Sequence, residues 1–177
     1  MTLPKIIEGE RILLVQMPEA FIKDSWSRGD AMTEEFRPHI DWFQERDLAR
    51  LRYEQLQKSP QVASWLLRAI VSKFDHQMIG HFNCHDLPNS KFLQRYHPDA
   101  IELGYTIYKP YRRQGYAREA VVTMIKHLQT FGLAKAVVLS AATTNTASLQ
   151  MIKSLGFKEI DMVRDGAEIE KIFLKKI

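Results

Sequence analysis

The chain has 177 residues, 45% of them hydrophobic and 26% charged, with 25 Lys and Arg against 21 Asp and Glu for a formal net charge of +4. That is enough chain to bury a core without a disulfide or metal staple, and one domain over residues 1–177 is expected. The composition excludes a disordered chain, and the lack of any apolar run of membrane length excludes a transmembrane helix. The basic residues are spread out, with one dense spot at Arg112, Arg113 and Arg118 and no recognition motif beside it, so nucleic acid is not an expected partner.

Residues 1–5 carry no apolar stretch of the secretory kind, so no signal peptide is expected. The single cysteine, Cys84, cannot form an internal disulfide, which fits a reducing cytoplasm.

Residues 12–15 form a short apolar run and predict a first strand. Pro18 and Glu19 open a helix. A second helix is expected from about Trp42 to Lys58, stopped by Ser59 and Pro60. Residues 64–71 and 78–85 predict a strand pair, with residues 73–76 as the turn. A longer loop begins at Asp86. Residues 101–108 alternate cleanly: Ile101, Leu103, Tyr105 and Ile107 make an apolar face, and Glu102, Gly104, Thr106 and Tyr108 the other.

After Pro110 the period changes from two to that of a helix. Ala117, Ala120, Val121, Met124, Ile125 and Leu128 lie three and four apart, and Gly132 is placed to end the helix. Residues 136–140 predict a buried strand of the parallel kind. Asn145 suits the N-cap of a helix over residues 146–155, and Gly156 its exit. Residues 159–163 and 168–174 predict two last strands joined at Asp165 and Gly166. The order implies a mixed α/β sandwich.

The stretch from Tyr111 to Ala117 lies between a strong strand and a strong helix. Such a turn leaves the first helical amides without backbone partners, and the helix dipole favours an anion there. Gly115 allows close approach of a ligand, Ala117 keeps the surface open, and Arg112 and Arg113 add positive charge. The physical reading is a pyrophosphate cradle. Neither G-x-x-x-x-G-K-[ST] nor G-x-G-x-x-G is present.

Arg112-x-x-Gly115-x-Ala117 resembles the [QR]-x-x-G-x-[GA] loop of the GNAT superfamily of N-acetyltransferases. Asn145-x-x-Ser148, followed by Leu155-Gly156-Phe157, resembles the second signature of that family. Glu102-Leu103-Gly104-Tyr105 before the loop is similar to the branch that contains the ribosomal-protein N-terminal (alanine) acetyltransferases. The resemblance implies an α/β (α+β) fold with a mixed, mostly antiparallel sheet of six to seven strands flanked by about four helices.

It further implies acetyl-CoA as co-substrate and an amine acceptor, either a protein N-terminus or a small molecule. The pantetheine arm would add like a strand along Tyr105, Thr106 and Ile107. The amides of Arg113, Gln114, Gly115, Tyr116 and Ala117 would hold the pyrophosphate, with Arg112 beside them in the cofactor site. Asn145 would bond the pantetheine, and Ser148 would lie near the thioester sulfur. Direct attack by the amine in a ternary complex is the family pattern.

Glu102 is the candidate base, acting directly or through a water, and Ser148 the candidate for assisting the leaving thiolate. Many family members carry a tyrosine acid seven residues after the motif asparagine; Ile152 stands there in this chain. That departure leaves a second reading open, a non-catalytic acyl-CoA sensor on the same fold. His81, Cys84, His85 and Asp86 are metal-capable, but on a strand the two histidines face away from the other two, so no metal is expected. They could instead line the acceptor pocket. Residues 24–41 would shape the acceptor site, and Trp26, Trp42 and Trp65 read as core or pocket wall. A homodimer is compatible with the sequence.

Overall fold

The computed structural model describes residues 2–177, apart from the Asp165 side chain. Among the described residues are eight strands and four α-helices. They are β1 Ile6–Glu8, β2 Ile12–Gln16, α1 Glu19–Ser27, α2 Arg46–Lys58, β3 Leu67–Ser72, β4 Met78–Cys84, β5 Ala100–Ile107, α3 Tyr116–Thr130, β6 Ala136–Ala142, α4 Thr146–Ser154, β7 Lys158–Asp165 and β8 Glu168–Lys176. The strand count exceeds the expected six to seven because the chain before β2 forms a three-residue strand of its own, and Gly9 donates to the Ile12 carbonyl at the turn between them. A stretch that short has no periodicity to read.

The second helix also starts later than expected. Trp42 belongs to a 3-10 turn, Ile40–Gln44, and Glu45 leaves helical geometry at ψ 37° before α2 begins. Tyr108 is the other departure. It falls just outside β5 and is buried, not on an open strand face.

The chain divides into two compact units, Met1–Cys84 with Tyr105–Met124, and His85–Gly104 with Ile125–Ile177. In the first, β1, β2, β3 and β4 pair antiparallel in order, from Ile7↔Leu14 through Leu14↔Ile70 to Ala69↔His81. Ile70 pairs with Gly80 and Val71 with Met78, so Ile79 is an extra residue in β4. Such a bulge twists a strand and re-aims its neighbours. Here Tyr108 N–H donates to the Ile79 carbonyl at 3.0 Å. A Cβ built on Gly80 would come 2.1 Å from the Thr106 carbonyl oxygen, so only glycine lets β4 lie this close to the end of β5.

Helix α1 packs on α2, with Trp26 and Tyr53 rings 6.2 Å apart. Phe21 meets Phe36 edge-on at 5.2 Å and stacks near Trp42 at 6.3 Å. Trp42 Nε1–H donates to Ser25 Oγ, so the buried indole is satisfied. Arg68 on β3 is wholly buried, and donates to the carbonyls of Pro4, Lys5, Leu14 and Ser64. Burial pulls its guanidinium down to about 10. The four bonds to backbone carbonyls offset that cost.

In the second unit β5 and β6 run parallel from Ala100↔Ala136 to Leu103↔Leu139, and β8 pairs antiparallel with both β6 and β7. Leu93, Ala100, Ala136, Val138 and Ile172 form a buried cluster under Tyr96, Val163 and Leu174. The β7–β8 turn is Gly166-Ala167, with Gly166 at φ +57°. Among the described residues no helix is long and apolar enough to cross a membrane.

Candidate active site

The loop between β5 and α3 begins with a 3-10 turn, Lys109–Tyr111, and then takes two left-handed steps, Arg113 at φ +61° and Gly115 at φ +84°. Residues in that conformation turn successive N–H groups to one side, which makes a concave anion site. Gln114 Nε2 donates to the Pro110 carbonyl at 3.2 Å, and the Glu119 N–H to the Gly115 carbonyl at 3.0 Å. A Cβ on Gly115 would lie 3.4 Å from Arg11 Nη2.

Arg112 follows that 3-10 turn. Its Nε donates to the Ile107 carbonyl at 2.8 Å, bracing the end of β5 against the loop. A further cation on the loop backbone comes from a residue the sequence does not single out. Arg11 Nη1 donates to the Gln114 carbonyl at 3.1 Å, and its guanidinium lies 4.5 Å over the Tyr116 ring. Glu119, in the first turn of α3, fixes that arginine: Oε2 accepts Arg11 Nε at 2.8 Å and Oε1 accepts the Arg11 amide at 2.6 Å. Only the acidic first turn of α3 hinted at Glu119, and no local pattern joins it to Arg11.

Tyr105 and Thr106 are half-buried and Ile107 is buried. Beside them Tyr108 stacks on His39 at 4.7 Å and lies 6.2 Å from His81, which meets Trp42 edge-on at 5.5 Å. His81 is buried and its Nδ1 has no hydrogen-bond partner; burial pushes the imidazole down to about 4, so the ring is neutral. Burial also holds the Tyr108 hydroxyl well above its ordinary range, and pushes the Cys84 thiol up to about 12 against the pull of Arg68 and Arg52. Cys84 is therefore inert as a nucleophile. Among the described residues no group of three His, Cys, Asp or Glu could hold a metal ion.

The second unit brings two further pairs together. Asn145 Oδ1 accepts the Ser148 amide at 3.1 Å and caps α4, so the two motif residues are partners in one turn. Ile152, seven residues after Asn145, is wholly buried, and its side chain has no proton to give. Glu102 is paired with His85: Oε2 lies 3.2 Å from His85 Nδ1, and the His85 N–H donates to the Glu102 carbonyl at 3.1 Å.

A family model for the acetyltransferase (GNAT) domain matches residues 11–158. No curated protein matches by sequence. Among solved structures the chain is similar to a Bordetella pertussis protein described as a GNAT-family acetyltransferase, with TM-score 0.68 and 16% identity over 97% of this chain and 99% of that one. It is similar to the ribosomal-protein-S5-alanine acetyltransferase from Vibrio fischeri, with TM-score 0.62 and 17% identity over 97% and 96%. It is also similar to the microcin C7 self-immunity acetyltransferase MccE, solved with acetyl-CoA and AMP, with TM-score 0.64 and 14% identity over 96% and 94%.

Proposed function

The chain belongs to the GNAT acetyltransferase family, and we propose that it is an N-acetyltransferase that moves the acetyl group of acetyl-CoA to a primary amine by direct attack. The amine nitrogen bonds to the thioester carbonyl carbon, the C–S bond breaks, the amine sheds a proton, and coenzyme A leaves as the thiol. In this reading residues 1–177 act as one catalytic domain and no metal takes part.

The observation that carries the reading is the loop ahead of α3. Its two left-handed residues, at Arg113 and Gly115, turn amides outward at a helix N-terminus, and Arg11 stands beside them. That chemistry suits the pyrophosphate of coenzyme A. Tyr105, Thr106 and Ile107 would pair with the pantetheine amides. Asn145 would bond the same arm, and Ser148 would sit near the sulfur.

Support for an amine acceptor comes from the ribosomal-protein acetyltransferases among the similar structures. An α-amine asks less of a base than a lysine does, being roughly a tenth neutral at pH 7 against about one in a few thousand. We favour a protein N-terminus, and a small-molecule amine is the competing acceptor. The buried, unpaired Cys84 suits a reducing cytoplasm.

Calorimetric titration with acetyl-CoA tests this directly, using the wild type and Gly115→Glu. Micromolar binding that is lost in the variant is expected. A folded wild type that binds no acetyl-CoA overturns the proposal. Burial of Ile152 where a tyrosine acid would stand favours one alternative, a sensor that binds acyl-CoA without turnover. Thiol release across a panel of amine acceptors separates the two.

A further inference from the structure

One backbone hydrogen bond and one side-chain ion-pair contact join His85 and Glu102. The His85 N–H donates to the Glu102 carbonyl at 3.1 Å, and His85 Nδ1 lies 3.2 Å from Glu102 Oε2. The backbone bond holds the residue, and the side-chain contact sets Nδ1 facing the carboxylate. The carboxylate is the enclosed member, with 13% of its side chain exposed, whereas the imidazole is 39% exposed.

An ionised carboxylate can only accept a hydrogen bond, so it calls for a proton on Nδ1 of the ring it faces. A neutral imidazole with Nδ1 protonated carries its lone pair on Nε2. Imidazole is also a stronger base than a carboxylate, and nearer in strength to the amine it must deprotonate.

We propose that His85 Nε2 takes the proton from the acceptor amine and that Glu102 is the positioning residue that sets the tautomer and stabilises the imidazolium. This rests on the reading of the chain as an amine acetyltransferase. As the amine nitrogen bonds to the thioester carbon, its proton passes to Nε2, directly or through one water. The C–S bond breaks, and coenzyme A departs with the electron pair. The imidazolium then gives its proton to bulk water, to which the ring is open, and the thiolate takes one from the same source.

The test uses the full chain labelled with 15N-histidine, with the His85 ring assigned by difference against His85→Gln. In the wild type at pH 8 the ring is expected as the Nδ1–H tautomer, and in Glu102→Ala as mainly Nε2–H. Thiol release from acetyl-CoA is followed with an alanine-initiated peptide as acceptor, and with water alone taking the acetyl group. His85→Ala should lose about 100-fold in turnover, keep its acetyl-CoA affinity within about twofold, and recover about tenfold with added imidazole.

An Nε2–H ring in the wild type overturns the proposal. So does His85→Ala turnover within about threefold of the wild type while Glu102→Ala falls about 100-fold, which would make Glu102 itself the base. A wild type that neither binds acetyl-CoA nor releases thiol sinks the acetyltransferase reading instead, a result that the tautomer measurement does not share.

Discussion

Glu119 on α3 holds Arg11 at the start of β2 by two separate bonds, one to the backbone amide at 2.6 Å and one to the guanidinium at 2.8 Å. The guanidinium in turn holds the Gln114 carbonyl and covers Tyr116. The carboxylate therefore acts on the proposed phosphate loop through another residue. Glu119→Ala should raise the acetyl-CoA KM about tenfold, with kcat changed less, and lower stability by about 1–2 kcal/mol. Arg11→Ala should raise KM similarly, and the double variant should add little. Steady-state kinetics and thermal unfolding of the three variants check this.

Arg113 offers a sharper separation of fold from function. It is a non-glycine residue at φ +61°, a conformation that costs an L side chain about 1–2 kcal/mol. Arg113→Gly relieves that cost and should raise stability by about 0.5–1 kcal/mol. The same change removes a cation from the proposed cradle and should weaken acetyl-CoA binding several-fold. Denaturant unfolding and calorimetry on one sample read both signs.

His81 should make the protein acid-sensitive. Unfolded, its ring takes a proton near pH 6.5; buried, only at about 4. Between those values the unfolded state holds more protons, so stability rises with pH through the window and falls as the solution is acidified. The full loss from this group is roughly 3 kcal/mol. Urea midpoints at pH 7 and 4.5 should differ by less in His81→Phe, which also removes the unpartnered Nδ1. An unchanged difference would show that other groups set the acid response.

Burial of Cys84 predicts a silent thiol. Its upward push from 9.0 to about 12 lowers the thiolate fraction near pH 8 by roughly a thousandfold. A disulfide reagent should label the native chain that much more slowly than the unfolded one. The same reagent can then count coenzyme A thiol without a protein background.

Local period carries most of the fold in this sequence. The alternation through β5, the stripe on α3 and the exits at Gly132 and Gly156, at φ +59° and +81°, are all legible from neighbouring residues. Where the reading departs, the cause is length or geometry: β1 is three residues long, and the turn at Ile40–Gln44 carries helix-like composition but breaks at Glu45. The candidate loop is legible by its glycine and its setting between β5 and α3, whereas the left-handed turn at the non-glycine Arg113 is not.

The couplings around that loop are not legible. Arg11 and Glu119 stand 108 residues apart, and nothing in either neighbourhood announces the other. His85 and Glu102 meet only because the loop after β4 returns to β5.

The cap on α4 fixes more than a helix end. Because Asn145 spends its oxygen on the Ser148 amide, the helix has already chosen which end of the side-chain amide is left to face outward, and that end is the nitrogen, a donor. A ligand meeting the Asn145 nitrogen must therefore offer an acceptor, as the carbonyls of a pantetheine arm would. Aspartate at this position would keep the helix start intact and present a second oxygen in place of the nitrogen. The polarity asked of the ligand would then be reversed with almost no change in shape.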